Sequence, residues 1–423
     1  MTYNYTGQDQ ERFSCRTALE ALRNGVPNKE AVKILGSNQA HAEAEFQALL
    51  DDTADSIASP ENTRSMLLSG DFGTGKSHML EYFEHLALSR NYVCSRIVVS
   101  KQTPFYNLDK VFKAAIDNGV VPGLVGQMVE ELGVTLKPDS KEYVKFFQWA
   151  NSEDSGLHTI FPATLMAHER SQDLDVLSKI YWFWSGDRIK VSDVNDPLRA
   201  VGQLSNYRFR APRARDLRPQ RLRFVLELIK AAGYKGWVVL IDELELLGSY
   251  SILQRARSYA ELSRWMGLTP DEQYPGLVVA CTISEDFEQA IINEKEDRDK
   301  VEPRLRMKGD DHSAARAVAG MQRISKRTQL AELSDETVQD TIDKIREMYS
   351  AAYDWEAPFF ESPPGGATYQ RRMRYKVKSA VNTWDLQRLY PDSHPEMEGT
   401  EYRNLYTEDQ DLEAEVKDDD PNS

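Results

Sequence analysis

Gly70-Asp71-Phe72-Gly73-Thr74-Gly75-Lys76-Ser77 stands between a short apolar run, Ser65-Met66-Leu67-Leu68-Ser69, and a segment from Ser77 to Ser89. In that segment Met79, Leu80, Phe83, Leu86 and Ala87 recur at helical spacing. The octet fits GxxxxGK[ST] at every fixed position, and a strand before it with a helix after it is the context that this pattern needs. Gly73 and Gly75 let the backbone fold so that its N–H groups face an anion, and the helix N-terminus adds its dipole. Lys76 is expected to pair with the β- and γ-phosphates of a nucleotide, and the Ser77 hydroxyl to hold Mg²⁺. The rest of the loop (Gly70, Asp71, Phe72, Thr74), with His78 beyond it, completes the expected nucleotide contact.

A second apolar run, Trp237-Val238-Val239-Leu240-Ile241, ends at Asp242-Glu243. Many strands end in a solvated acidic turn, so this pair gains its meaning from the phosphate loop upstream. There Asp242 is expected to orient the Mg²⁺ shell and Glu243 to polarise an attacking water, a pairing that favours hydrolysis over binding alone. One helix later comes a strand ending Cys281-Thr282-Ile283-Ser284. A polar side chain there would position the water; Thr282 is the first candidate and Ser284 the second. Arg298, Arg304 and Arg306 follow at a place where one guanidinium, Arg304 foremost, could reach a neighbouring subunit's γ-phosphate. Arg371, Arg372 and Arg374 open a later helix, and Arg374 is the candidate to swing onto the nucleotide of its own chain.

The alternation of apolar runs with amphipathic segments predicts an α/β fold, a parallel sheet covered by helices on both faces. Strands are expected at 65–69, 92–99, 237–241, 276–283 and 328–333, and helices at 77–89, 108–116, 221–232 and 250–266. Residues 10–51 read as two helices broken at Asn24-Gly25-Val26-Pro27-Asn28. The resulting division is an N-terminal helical element (1–62), a core (63–118 and 221–334), a mostly helical insertion (119–220), a C-terminal helical lid (335–407) and an acidic tail (408–423). Pro363-Pro364-Gly365-Gly366 reads as a linker, and the tail holds eight acids against Lys417 alone, a composition expected to be disordered.

The chain has 423 residues, a net charge of −15 and 41% apolar residues, values that fit an acidic, soluble, cytoplasmic protein of two or three domains. No stretch approaches the ~20 apolar residues of a membrane-spanning helix, and MTYNYTGQDQERF lacks a signal-peptide core. Three separated cysteines (Cys15, Cys94, Cys281) and seven scattered histidines suggest neither a disulfide framework nor a metal site of the protein's own. Against this acidic background, RFRAPRARDLRPQRLR (208–223) packs seven arginines around a single acid, with Tyr207 and Phe209 interleaved. Such a run suits a nucleic-acid backbone or single strand, and it suits an acidic partner or the chain's own tail.

Taken together these segments resemble the P-loop ATP-binding proteins of BREX phage-defence systems (BrxD-like), within the AAA+ superfamily. The resemblance rests on EALRNGVPN…AVKILG near the start, GDFGTGKSHML, Ile97-Val98-Val99-Ser100 with Thr103-Pro104, AAGYKGWVVLIDELE, and Arg255 with Tyr259 and Leu262. It spans roughly residues 10–390 and is thin across 120–205. It implies an AAA+ core, an N-terminal element near the adenine (Val26 and Pro27), a helical lid, and assembly as a homo- or hetero-oligomer beside other defence-system proteins. The family's lid arginine follows a proline in Thr-Pro-Arg, whereas Arg372-Met373-Arg374 stands at that place here. Two functions are then expected: an ATPase that drives assembly or remodelling on DNA or DNA-bound partners, or an ATP-binding switch with negligible turnover.

Overall fold

The computed structural model describes residues 7–24, 28–55, 64–361 and 373–391. Val26, Pro27, the boundary near Thr63, the 363–366 linker, Arg371, Arg372 and the acidic tail lie outside these residues.

Three helices, α1 (Gly7–Asn24), α2 (Lys29–Leu35) and α3 (Ala40–Asp55), precede β1 (Ser65–Gly70), α4 (Lys76–Ser89), β2 (Val93–Val98), α5 (Leu108–Asp117) and β3 (Gly119–Val120). The insertion contributes α6 (Met128–Thr135), α7 (Lys141–Ala150), α8 (Ile160–Arg170), α9 (Leu174–Trp184) and α10 (Val191–Ala200). Then come α11 (Ala214–Ala231), β4 (Trp237–Asp242), α12 (Ile252–Met266), β5 (Leu277–Ser284), α13 (Asp297–Arg306), α14 (Asp311–Ile324), β6 (Thr328–Gln329), α15 (Asp335–Tyr353) and α16 (Met373–Leu389).

The six strands form one sheet in the order β3-β2-β4-β5-β1-β6, parallel except for the β2–β3 pair. The central strands are covered on both faces, which is why they read as unbroken apolar runs. On one face Met66, Leu68, Val238, Leu240, Val278 and Ala280 meet Met79, Leu80 and Phe83 of α4 and Phe46 of α3. The alternate residues, Leu67, Val239, Ile241, Val279 and Cys281, enter a core that runs on into the insertion through Phe146, Phe161, Trp184 and Phe224. Helices α6 to α9 thus share the sheet's core instead of building one of their own.

A further core joins the two ends of the chain: Ala18 and Leu19 of α1 and Leu35 of α2 pack against Ile342, Tyr349, Val381 and Trp384 of α15 and α16. Arg23 donates to both oxygens of Asp385 at 2.7 and 3.0 Å, and the Tyr349 hydroxyl donates to the same carboxylate at 2.8 Å. By contrast α3 belongs with the sheet.

Several elements depart from the sequence reading. Residues 10–51 form three helices, because the chain turns again at Gly36 and at Asn38, both with positive φ. The strand expected over 328–333 closes after Gln329: Leu330 still donates to the Ser69 carbonyl at 2.8 Å, and the buried Gln39 side chain then takes both the N–H and the C=O of Ala331 at 2.9 Å. Helix α11 begins seven residues before Arg221, with Leu217 continuing its buried face despite Pro219. The pair α13–α14 was not expected at all. Its α14 lies so close to α12 that a Cβ on Gly320 would stand 2.1 Å from the Tyr259 carbonyl oxygen.

Helix α13 is tied to α12 by a buried ion pair. Arg255 reaches both oxygens of Asp297 at 2.8 Å, Tyr259 donates to Asp297 at 2.7 Å, and Arg255 also donates to the Tyr250 carbonyl. Both charged side chains are buried almost completely. Removing one partner strands the other, so Arg255→Met is expected to destabilise the fold by about 3–5 kcal/mol in chemical denaturation. A loss below about 1 kcal/mol, the range of an exposed pair, would show that the network carries no such weight.

Candidate nucleotide site

Because β5 lies between β1 and β4, the carboxyl ends of these three strands stand side by side; Gly70 is paired with Ser284 and Ile241 with Cys281. In open α/β sheets this edge is where ligands bind. The loop after Gly70 turns through left-handed Gly73 (φ 83°) and Gly75 (φ 102°) into α4. Those two angles are what the glycines supply. Lys76 is folded inward: its ammonium donates to the Gly70 carbonyl at 2.8 Å and the Asp71 carbonyl at 3.3 Å, and it lies 3.6 Å from Glu245.

Asp242, the last residue of β4, is engaged on both oxygens. One accepts from the Thr282 hydroxyl at 2.5 Å and from the Glu243 N–H at 3.1 Å, and the other from Arg96 at 3.2 Å. Thr282 is fully buried, so its hydroxyl is spent on the acid and does not line the cavity described below. Arg96 also pairs with Glu81 of α4 at 2.5 Å and reaches the Ser77 carbonyl at 3.4 Å. It therefore bridges the strand that bears Asp242 and the helix that bears Ser77. Sequence reasoning passed over Arg96, although a lone arginine inside the buried run of β2 was a usable signal.

Glu243 holds left-handed backbone angles (φ 64°, ψ 36°) without being glycine, a strain that cores tolerate where a side chain must be aimed. Its carboxyl is pushed above the ordinary range, first by desolvation and then by Asp242, while Lys76 and Arg374 pull it back. Two residues on, burial lifts Glu245 to about 7.

One cavity is lined by the loop from Phe72 to His78, by Glu243 and Glu245, and by Arg374 of α16, while Asp242, Thr282 and Arg96 stand behind this lining. The Arg374 guanidinium lies over the Phe72 ring, 5.2 Å from its centroid. His78 is tied to the Gly36 carbonyl at 2.6 Å, and burial lowers its pKa, so a neutral ring joins α4 to the end of α2. The far wall is largely apolar: Leu22, Leu35, Leu333 and Val377, with Asn38 donating to Thr341 at 3.1 Å. These wall residues come from four distant segments, and no local pattern marks them.

Other expected site residues lie elsewhere. Arg304 is exposed on α13 and does not line this cavity. Arg298 pairs with Glu288, and Arg306 with Glu302 and Asp311. The arginine run is not one patch. Arg221 is buried against Phe183 and donates to the Gly186 and Asp187 carbonyls, and Arg218 pairs with Asp109 at 2.7 Å. Arg208, Arg210 and Arg213 are exposed. The interleaved rings are not free platforms: Tyr207 is buried, and half-buried Phe209 packs edge-on to His158. Folding uses these rings for the core, where their apolar area counts most.

A parallel sheet whose first strand runs through a glycine loop into a helix, with an acid-tipped strand two places away, defines a P-loop nucleotide-binding protein. The chain matches the family of the BREX system ATP-binding protein BrxC/D over residues 12–121 and 218–360, more than half of its length. It belongs to that family and is thus an ATP-binding protein of the BREX phage-defence system. No curated protein and no solved structure matches it. The unmatched stretch 122–217 covers α6 to α10. No helix among the described residues is long and apolar enough to cross a membrane.

Proposed function

We propose that this chain is an AAA+ type ATPase. The observation that carries the reading is that Lys76, strained Glu243 and Arg374 line one cavity, with the Asp242–Thr282 pair bonded to the Glu243 N–H behind it. In this reading the loop amides and Lys76 hold the phosphates, Glu243 takes the proton of the attacking water, and Thr282 fixes the acid cluster. Ser77 and Asp242 are the residues that would hold Mg²⁺, Asp242 through the metal's water shell because its oxygens already accept hydrogen bonds. Bound there, the metal would neutralise charge on the phosphates. Arg374 would add positive charge from α16 and couple the nucleotide to the N-terminal and C-terminal helices that share its core. The apolar wall of Leu22, Leu35 and Val377 suits the adenine. Phosphate release from ATP, compared with and without a chelator, tests the reading.

A second reading is an ATP-dependent switch with negligible turnover. It is favoured by the position of Arg298, Arg304 and Arg306, none of which lines the chain's own cavity. An ATPase of this kind would then need a neighbouring subunit, in a homo- or hetero-oligomer, to supply Arg304.

We further propose that the exposed arginines 208, 210 and 213 meet nucleic acid in the cytoplasm, next to other proteins of the defence system. Arg218 and Arg221 are left out because their guanidiniums serve the fold. Replacing the three by Ala should flatten the dependence of log affinity on log salt by about 0.9 for each phosphate no longer neutralised, while ATP binding persists. The check is anisotropy of labelled single- and double-stranded DNA over a salt series. An unchanged slope would assign the run to an acidic protein partner or to the tail.

A further inference from the structure

Glu245 has no part in the scheme above, yet it sits at its centre. It belongs to the tight turn Leu244–Ser249, held in place by fully buried Leu244 and Leu247. Its side chain is 10% exposed, that of Lys76 9%. At 3.6 Å the two charges attract without a hydrogen bond, and the second Glu245 oxygen is buried with no hydrogen-bond partner among the described residues. The Lys76 ammonium is meanwhile held back by the Gly70 and Asp71 carbonyls. A buried carboxylate that is poorly hydrogen-bonded and faces the one cation of the phosphate loop is an expensive arrangement for the fold alone.

We propose that Glu245 is a built-in counter-anion that occupies the place of a phosphate beside Lys76, so that a nucleotide must bring enough negative charge to displace it. The inference rests on the assignment of this cavity to ATP. Lys76 can leave Glu245 without breaking a hydrogen bond between them, so the contact is built to yield. Once phosphates have drawn Lys76 away, Glu245 remains close to them as a like charge. Both effects penalise ligands in proportion to their need for Lys76. Glu245 thereby lowers the affinity for nucleotides with phosphates, and leaves that for adenosine, which reaches only the apolar wall, untouched. Its other charged neighbours there are Glu243 and Asp242, both acids that raise the cost of its charge.

The test is the affinity of Glu245→Gln for ATP, ADP and adenosine, by titration calorimetry at about pH 8, where the wild-type carboxyl is ionised. ATP and ADP should bind on the order of tenfold tighter or more, and adenosine as in the wild type. Equal or weaker ATP binding overturns the proposal, because Glu245 would then support Lys76. A gain shared by adenosine also overturns it, because the change would be in cavity shape. Glu245→Asp keeps the charge but withdraws it by one methylene, and should shift ATP affinity in the same direction by a smaller factor. This variant keeps the test open if the Gln variant folds poorly. A wild type that binds no ATP would refute the assignment of the cavity itself. A wild type that binds ATP beside an unchanged Gln variant would refute the role of Glu245 alone.

Discussion

Lys76→Ala is expected to weaken ATP binding by at least about two orders of magnitude, which corresponds to roughly 2.7 kcal/mol or more. The loop from Gly70 to Ser77 contains no other cation, so nothing within it can take over the charge. Arg374 also lines the cavity, but from α16 and with its guanidinium over Phe72. The variant also leaves Glu245 buried beside no ammonium, so calorimetric titration with ATP should be run together with thermal unfolding. Double replacement with Glu245→Gln removes that side effect. If the single variant keeps wild-type affinity, or the double variant keeps that of Glu245→Gln, the phosphates are not held at this loop.

Glu243→Gln is expected to leave ATP affinity nearly unchanged while lowering turnover by about 10²–10⁴, the usual contribution of a positioned general base. The amide keeps the shape of the side chain, and Gln is no worse suited than Glu to the left-handed backbone there. The loss should therefore report the missing proton acceptor and not a rearranged site. The same variant should accumulate whatever assembly the ATP-bound state favours. Turnover at the wild-type level would remove Glu243 from the chemistry. A wild type with no phosphate release above background, alone or with DNA and partners, would leave the switch reading in possession.

How far the site was legible depends on how local its parts are. The phosphate loop and Asp242-Glu243 were found because each lies where a strand gives way to a turn, and the residues concerned are neighbours in sequence. Thr282 was nominated from its place at the end of a buried strand, and its bond to Asp242 follows from β5 standing next to β4. Arg96 and Glu245 escaped notice for the opposite reason. Each sits within a few residues of a recognised signal, but its meaning comes from a partner far along the chain, Glu81 and Asp242 for one, Lys76 for the other. The arginine run misled in part because charge density in a sequence says nothing of where each side chain ends. Arg221 is buried while Arg210 is exposed, eleven positions apart in the same run.

The sequence by itself determined the class of fold, the order of the strands' apolar runs, the phosphate loop and the acids that face it. These depend on periodicity and on short glycine and acid patterns, which local chain stereochemistry enforces. Tertiary structure alone decided which ends of the molecule share a core, why β6 stops at Gln329, and what forms the far wall of the cavity. It also decided which arginines remain exposed and what Lys76 faces. Each of these is a contact between residues separated by tens to hundreds of positions, such as Gln39 with Ala331 or Arg23 with Asp385. Such a contact exists only after the chain has met the entropy of bringing its ends together, and the free energy that offsets it comes from packing that no single segment contains.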